Sequence, residues 1–135
     1  MRHLDTSIVV AYLRGNGNVI RKLQAHFGDL AISAAVLAEL RFGARVSAHP
    51  EKNIQSVKDF LSLVIPFDEQ SAMAYGDLRA SLRTRGKQTG DSDALITATA
   101  LANKAVLVTH NVQHFENIEG LEIEDWVVET YTVSA

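Results

Sequence analysis

The chain has 135 residues, of which 47% are hydrophobic and 21% are charged, and its formal net charge at pH 7 is −3. This length and composition are typical of one globular domain and exclude a disordered chain. The sequence has no apolar run of about 18 residues, no secretory signal and no cysteine, which excludes a membrane span, disulfides and thiolate metal sites and indicates a cytoplasmic protein.

Short apolar stretches alternate with helical patterns along the first half of the chain. In chain order, the sequence predicts a short apolar stretch at 2–5, helices at Ser7–Arg14 and Asn18–Phe27, a buried strand at Leu30–Ser33, a helix capped by Ser33 and running to about Val46, and a helix begun by Pro50.

The second half continues the alternation and ends in an acidic segment. The sequence predicts a strand at Leu63–Phe67, the helix Glu69–Thr84 capped by Asp68, an uncharged helix from Ala94 to Asn103, a strand at Ala105–Thr109, a turn around Asn111–Asn117, a strand near Leu121–Trp126 and a loose tail over 127–135. The pattern predicts one α/β domain over residues 1–135, with a mainly parallel sheet covered by helices on both faces.

Polar side chains converge on one edge of this predicted sheet. Ligands bind beyond the carboxyl ends of the strands in open α/β sheets. Asp5 follows the first strand, Asp93 opens the uncharged helix, and Thr109 and Asn111 end the next strand. Glu39 lies at the edge of the apolar face of its own helix. We therefore expect these residues to form a site.

Each acid also has a structural explanation when it is taken alone. Asp5 could cap the following helix, and Glu39 could mark the border of an amphipathic helix. Asp91 and Asp93 could stabilise the amino terminus of the uncharged helix, an effect of about 0.5–2 kcal/mol. Two carboxylates roughly 5 Å apart repel by about 3 kcal/mol at an effective dielectric near 20, so a cluster of three favours a bound cation. Oxygen ligands without His or Cys favour Mg²⁺, for which Mn²⁺ can substitute.

Basic residues gather before the uncharged helix, at Arg79, Arg83, Arg85 and Lys87. Arg79 and Arg83 are four residues apart and share a helix face. A solvated helical surface and a patch that contacts phosphates are both compatible with this spacing.

Histidines suggest a weaker alternative. His110 and His114 are four residues apart, a spacing found in zinc sites, but no third ligand follows at a suitable distance. We instead expect His110 and His114 to flank Asn111 and Phe115 near the substrate, and His3, His26 and His49 to be ordinary helix or surface residues.

Four ordered segments resemble the PIN-domain ribonucleases, specifically the VapC-type toxins of bacterial toxin–antitoxin pairs. The segments are "LDTS" from Leu4, "SAAVLAELRFGA" from Ser33, "GDSDALITATAL" from Gly90 and "VLVTHNVQHFENIEGLEIEDW" ending at Trp126. The resemblance implies the PIN fold, a three-layer α/β/α arrangement around the sheet.

The resemblance also implies roles for individual residues. Asp5, Glu39 and Asp93 match the three acids that bind the metal and carry catalysis, with Glu39 acting directly or through water. The residues that match or flank supporting positions are Thr6, Ser7, Asp91, Thr109 and Asn111. Asp91 falls on a variable position and is an outer-shell candidate, and Asn111 stands where many PIN nucleases have a fourth acid.

The activity implied is Mg²⁺-dependent cleavage of transfer or ribosomal RNA by activated water, which leaves 5′-phosphate and 3′-hydroxyl ends. The resemblance further implies a cognate VapB-type antitoxin, contact with operator DNA only through that antitoxin, and a homodimer.

Three other readings use different features. A phospho-acceptor receiver domain would need paired acids after the first strand and a lysine after the last, and no lysine follows Lys104. A haloacid-dehalogenase phosphatase would need Asp-x-Asp where the chain has Asp5-Thr6-Ser7. A catalytically inactive PIN scaffold is the non-enzymatic alternative, and retention of all three acids argues against it.

Overall fold

The structure, a computed structural model, describes residues 1–128 and the backbone of residues 131–133. Within these ranges the strands are β1 (Arg2–Leu4), β2 (Leu30–Ser33), β3 (Val64–Ile65), β4 (Val106–Val108), β5 (Ile123–Asp125) and β6 (Tyr131–Val133). The helices are α1 (Thr6–Leu13), α2 (Gly17–Ala25), α3 (Ala34–Arg45), α4 (Pro50–Lys58), α5 (Glu69–Thr84), α6 (Asp91–Ala102) and α7 (Val112–Phe115), with a 3-10 turn at Leu61–Leu63. None of these helices combines the length and apolar character needed to cross a membrane.

The strands form one sheet in the order β3-β2-β1-β4-β5-β6. The first five are parallel, and helices cover both faces, so the predicted three-layer α/β/α fold is confirmed. Leu4 pairs with Val108 in the register of β1 and β4. The residues that follow them, Asp5 and Thr109, therefore emerge side by side at the carboxyl edge of the sheet.

Two helix caps predicted from the sequence are present. The Ser33 side chain accepts a hydrogen bond of 3.1 Å from the Val36 N–H at the start of α3. The Asp68 side chain accepts one of 2.9 Å from the Ser71 N–H at the start of α5. These caps satisfy backbone donors that have no partner within the helix, and so they fix where both helices begin.

Helix α6 passes through the core, which explains why most of it is uncharged. Its buried residues are Ala94, Ile96, Thr97, Ala98, Thr99 and Ala100. An unpaired charge at any of these positions would lose its hydration and destabilise the folded protein by roughly several kcal/mol. The two charged residues of the helix, Asp91 and Asp93, lie in its first turn, where the helix reaches the surface. The buried helix therefore delivers Asp93 to the carboxyl edge of the sheet.

Three expectations differ from the structure near the middle and end of the chain. The strand predicted at Leu63–Phe67 is reduced to Val64–Ile65, because a 3-10 turn takes up its first residue. The turn predicted around Asn111–Asn117 contains helix α7. His3 is not a surface residue: its side chain is 1% exposed within β1.

The prediction of a loose tail from residue 127 is also wrong where the structure describes the chain. Residues 131–133 form β6, which pairs antiparallel with β5 and places Glu124 opposite Thr132. The outer edge of β5 would otherwise present unpaired N–H and C=O groups, and an added strand satisfies them. Residues 129, 130, 134 and 135 lie outside the described part of the chain.

Candidate active site

Asp5 follows β1 and is 4% exposed. Its Oδ2 accepts hydrogen bonds from the Thr109 hydroxyl at 2.6 Å and the Ser7 hydroxyl at 3.1 Å. Although Asp5 occupies the N-cap position of α1, its side chain makes no capping hydrogen bond, so capping does not explain it. Burial raises the pKa of the Asp5 carboxyl and repulsion by Glu39 adds to the rise, whereas the bonds from Thr109 and Ser7 oppose it.

Glu39 lies on α3 with one hydroxyl on each carboxylate oxygen. The Thr6 hydroxyl donates to Oε1, and the Ser92 hydroxyl donates to Oε2 at 2.8 Å. Thr6 directly follows Asp5 in the chain, and Ser92 directly precedes Asp93. The Glu39 carboxylate is thus hydrogen-bonded to the residue that follows Asp5 and to the residue that precedes Asp93.

Asp93 stands in the first turn of α6, and its side chain is 27% exposed. Its Oδ2 lies 3.2 Å from Nδ1 of His114, which α7 supplies. Burial raises the pKa of the Asp93 carboxyl, the charge of His114 lowers it, and repulsion by Glu39 raises it. Because Glu39 acts on both Asp5 and Asp93, the three carboxylates form one electrostatic cluster.

The donors of this cluster suit a hard divalent cation. All three acids offer carboxylate oxygens, and a cation between them would relieve the repulsion by Glu39, which adds to the effect of burial in raising the pKa of Asp5 and of Asp93. Within residues 1–128, however, no three His, Asp or Glu side chains already converge as ready metal ligands. Hydroxyl groups and His114 contact Oδ2 of Asp5, both oxygens of Glu39 and Oδ2 of Asp93, and a carboxylate oxygen that accepts one such bond keeps a second lone pair for a metal ion.

Hydroxyl and backbone groups fix the loop that follows β4. Thr109 is fully buried, and its Oγ1 accepts a hydrogen bond of 3.0 Å from the Asn111 N–H. The Ser7 hydroxyl accepts a bond of 3.0 Å from the His110 N–H. Asn111 therefore supports this end of the sheet through its backbone, while its side chain is exposed.

Two other predicted residues point away from the acids. The Asp91 side chain is 85% exposed and pairs with Arg79 at 3.1 Å. The His110 ring contacts Oδ2 of the buried Asp125 at 2.9 Å. His110 and His114 contact different carboxylates, which argues against the alternative of a zinc-binding His pair.

The basic residues separate into two groups. Arg79, Arg83 and Lys87 line one cavity beside the end of α5. Arg85 instead lies 3.9 Å from Glu119 and donates to the carbonyl of Asn117 at 3.3 Å. Arg85 therefore braces the segment after α7 rather than facing the cavity.

Sequence reasoning missed Ser92 as a member of the site, and it missed the contact of His114 with Asp93. Ser92 carried one available signal, since it stands between two aspartates at the mouth of a buried helix. The sequence held a weaker signal for the contact of His114, because its segment was predicted as a turn. Only the helical conformation of α7 directs the His114 ring towards Asp93, 21 residues away in the chain.

Comparisons with known proteins agree with this geometry. Residues 3–121 match the family model of the PIN domain. The chain is 35% identical over 126 residues to the tRNA(fMet)-specific endonuclease VapC of Salmonella typhimurium, which covers 91% of this chain and 96% of that protein. It is 38% identical over 128 residues to ribonuclease VapC2 of Rickettsia felis, with coverages of 91% and 96%. The crystal structure of VapBC2 from Rickettsia felis bound to a DNA fragment from their promoter superimposes with a TM-score of 0.86 at 35% identity, over 93% of this chain and 98% of that one.

Proposed function

Because the chain belongs to the PIN-domain family, in the branch of the VapC ribonuclease toxins, we propose that it is an endoribonuclease whose active site is the cluster of Asp5, Glu39 and Asp93. The observation that carries the proposal is the position of Glu39. Its two oxygens accept hydrogen bonds from the chain neighbours of Asp5 and Asp93, so residues from three separate elements meet at the carboxyl edge of the sheet. Independent helix caps or surface acids would not be joined in this way.

PIN-domain nucleases generally use a divalent metal ion, and the donors here favour Mg²⁺, with Mn²⁺ as a substitute. Asp5 and Asp93 would hold the ion, with Glu39 as a direct ligand or through water. When bound, the ion supplies Lewis-acid stabilisation of the charge that develops on the phosphate and makes water more acidic.

Hydroxyl groups next to the acid cluster orient these carboxylates. Thr109 and Ser7 hold Asp5 by the same oxygen, which sets the rotation of its carboxylate. Thr6 and Ser92 hold Glu39 by one oxygen each. Preorganised groups need little rearrangement as charge develops in the reaction, and this is a principal source of catalysis by such sites.

The bond broken in the proposed reaction is the one between phosphorus and the 3′ oxygen. The oxygen of water forms the new bond to phosphorus, and the 3′ oxygen leaves and takes up a proton. The products carry a 5′-phosphate and a 3′-hydroxyl. Attack by the ribose 2′-hydroxyl would leave a 2′,3′-cyclic phosphate instead, so the chemistry of the ends distinguishes the two routes.

Structured RNA is the proposed substrate, and transfer RNA is its first candidate. The support is the relative from Salmonella typhimurium, whose name specifies a transfer RNA and which aligns over 91% of this chain. Ribosomal RNA is the second candidate. Sequencing the new RNA ends after induced expression identifies which of them is cut.

The proposed regulator is a VapB-type antitoxin, in keeping with the VapBC complexes among the similar structures. A cavity of about 450 Å³ adjoins Glu39 and has Val10, Leu13 and Leu40 in its lining. We propose that an extended antitoxin segment docks its apolar side chains here while an arginine forms bidentate bonds to Asp5 or Asp93. Contact with operator DNA would then run through the antitoxin.

A nuclease assay tests the proposal against the inactive scaffold. The purified protein is incubated with total transfer RNA, and separately with ribosomal RNA, in Mg²⁺, in EDTA, and in EDTA followed by excess Mg²⁺. We expect cleavage in the first and third conditions, with ends that ligate directly at the 5′-phosphate. Equal cleavage in EDTA, or ends that ligate only after repair, would rule out the mechanism. Absence of cleavage for transfer and ribosomal RNA alike would favour the scaffold.

A further inference from the structure

A cavity of about 680 Å³ lies between the end of α5 and the loop that leads to α6. Three cations line it, Arg79, Arg83 and Lys87, and no acidic side chain of residues 1–128 does. The whole chain carries a net charge of −3, so the charge of this groove is opposite in sign to that of the protein as a whole. Such a groove is a physical feature that attracts an anion.

The backbone around the groove is fixed by a specific helix ending. Gly86 has a φ of +67°, a conformation that glycine adopts without strain. The Gly86 N–H donates to the Arg83 carbonyl at 3.1 Å, and the Lys87 N–H donates to the Leu82 carbonyl at 2.8 Å. These two bonds form a Schellman motif, which turns the chain so that Lys87 returns to the side of the helix that carries Arg83.

The three cations differ in how they are engaged. Arg79 lies over the Tyr75 ring at 5.8 Å and bonds both the Thr89 carbonyl and Asp91, which holds it as one wall of the groove. Arg83 and Lys87 are exposed, and neither forms an ion pair with any residue in the described part of the chain. These two side chains are available to an anionic ligand.

The groove leads to the acid cluster. A second cavity of about 380 Å³ shares Leu82, Lys87 and Thr89 with it and is also lined by Asp93 and His114. One surface therefore runs from the cations to a carboxylate of the candidate active site. A ligand that carries several phosphates in a row suits such a continuous surface.

We propose that this groove binds the sugar–phosphate backbone of the RNA strand next to the bond that is cut, with Arg83 and Lys87 as the phosphate contacts and Arg79 as the fixed wall. The inference rests on the proposed function, because it takes RNA to be the ligand of the neighbouring acids. It assigns binding to two of the four clustered basic residues and excludes Arg85, which is committed to Glu119. A backbone groove of this kind positions the strand and carries little sequence selectivity.

Binding in EDTA tests the groove without cleavage. The affinity of a short fluorescein-labelled single-stranded RNA is measured by anisotropy at several salt concentrations, for the unmodified protein and for Arg83→Gln/Lys87→Gln. Each phosphate contact on a single strand contributes about 0.7 to the slope of log affinity against log salt, so loss of two contacts should reduce the slope by about 1.4. The double variant Lys22→Gln/Lys58→Gln makes the same change in net charge at exposed positions outside both cavities and should retain the slope.

The outcomes separate this inference from the proposed function. A reduced slope for the groove variant alone supports the groove even if the protein cleaves no RNA in Mg²⁺. An unchanged slope, an equal reduction in the control variant, or no RNA binding by the unmodified protein would overturn it, whether or not cleavage occurs. In Mg²⁺ the groove variant should raise KM and leave kcat near that of the unmodified protein, because neither side chain belongs to the acid cluster.

Discussion

The Ser92 hydroxyl donates a hydrogen bond of 2.8 Å to Oε2 of Glu39 and so ties the first turn of α6 to α3. The Thr6 hydroxyl takes the other oxygen of the same carboxylate. Ser92 adjoins Asp93, and Thr6 adjoins Asp5, so one side chain is held from both sides of the cluster. The position of Glu39 therefore depends on hydroxyls that do no chemistry themselves.

Ser92→Ala should lower kcat about tenfold and leave KM for RNA nearly unchanged. A hydrogen bond to a charged group is worth about 1.5–3 kcal/mol, and a tenfold loss of rate corresponds to about 1.4 kcal/mol. Ser92→Thr keeps the hydroxyl and should restore most of the rate, which a purely structural role would not require. Steady-state kinetics with one purified RNA checks this, and a Ser92→Ala enzyme as fast as the unmodified protein would show that Ser92 does not position Glu39.

The sequence predicts the members of the acid cluster because the order of strands and helices along the chain determines which strand ends meet at one edge of the sheet. Leu30–Ser33 was predicted with its observed bounds, and α5 begins and ends where its cap and pattern indicate. Once β1 and β4 are adjacent parallel strands, Asp5 and Thr109 must meet at the same edge. Local pattern and handed α/β connections are sufficient for this much of the site.

Asp5→Asn should abolish RNA cleavage and raise the melting temperature in EDTA at pH 7. Burial raises the pKa of Asp5 in the folded protein. A group with a raised pKa contributes stability below its unfolded pKa and loses it as the pH rises through its folded pKa, so the ionised Asp5 opposes folding at neutral pH. The neutral amide removes this cost and its oxygen still accepts from Thr109.

The gain in melting temperature should shrink as the pH is lowered, because Asp5 then becomes neutral in the unmodified protein as well. Asp77→Asn, at an exposed position on α5, is the matched control and should shift the melting temperature little. Calorimetry at several pH values gives the comparison. A lower melting temperature for Asp5→Asn at pH 7 would contradict the electrostatic account, while retained cleavage would remove Asp5 from the catalytic set.

His3→Leu should make the free energy of unfolding less dependent on pH below neutrality. Burial lowers the pKa of His3 to about 4, and neither ring nitrogen has a hydrogen-bond partner among the residues that the structure describes. The unfolded chain therefore binds a proton that the folded chain does not between about pH 6.5 and about pH 4. Stability falls as the pH falls through this window, by about 3 kcal/mol in total from this group.

Urea unfolding across this pH range measures the effect. The difference in free energy of unfolding between His3→Leu and the unmodified protein should move in favour of the variant as the pH decreases. His49→Gln, at an exposed position, should run parallel to the unmodified protein. If His3→Leu also runs parallel, the pKa of His3 is not depressed in the folded state.

Contacts between distant parts of the chain could not be predicted from the sequence pattern. The segment after Asn111 lacks the length from which a helical period can be read, so α7 was missed, and with it the contact of His114 to Asp93. The Ser92 contact joins residues 53 apart and needs the packing of α3 against α6. The pairing of β6 depends on an open strand edge elsewhere, which composition near residue 131 does not reveal.

Leu13→Asp should prevent neutralisation by the antitoxin while RNA cleavage is retained. Leu13 is 41% exposed at the cavity that also contains Glu39, where the apolar side chains of the antitoxin segment are proposed to dock. The substitution removes an apolar contact with the antitoxin and places a buried charge in the interface. It should therefore weaken the complex by roughly tenfold or more.

Leu61→Asp, at a site that is 50% exposed and outside this cavity, is the control and should behave as the unmodified protein does. Co-expression with the cognate antitoxin should restore growth for the unmodified protein and Leu61→Asp but not for Leu13→Asp, and the complex should co-purify in the first two cases only. A complex that forms and keeps full RNase activity would show that the antitoxin does not act by filling the acid cluster.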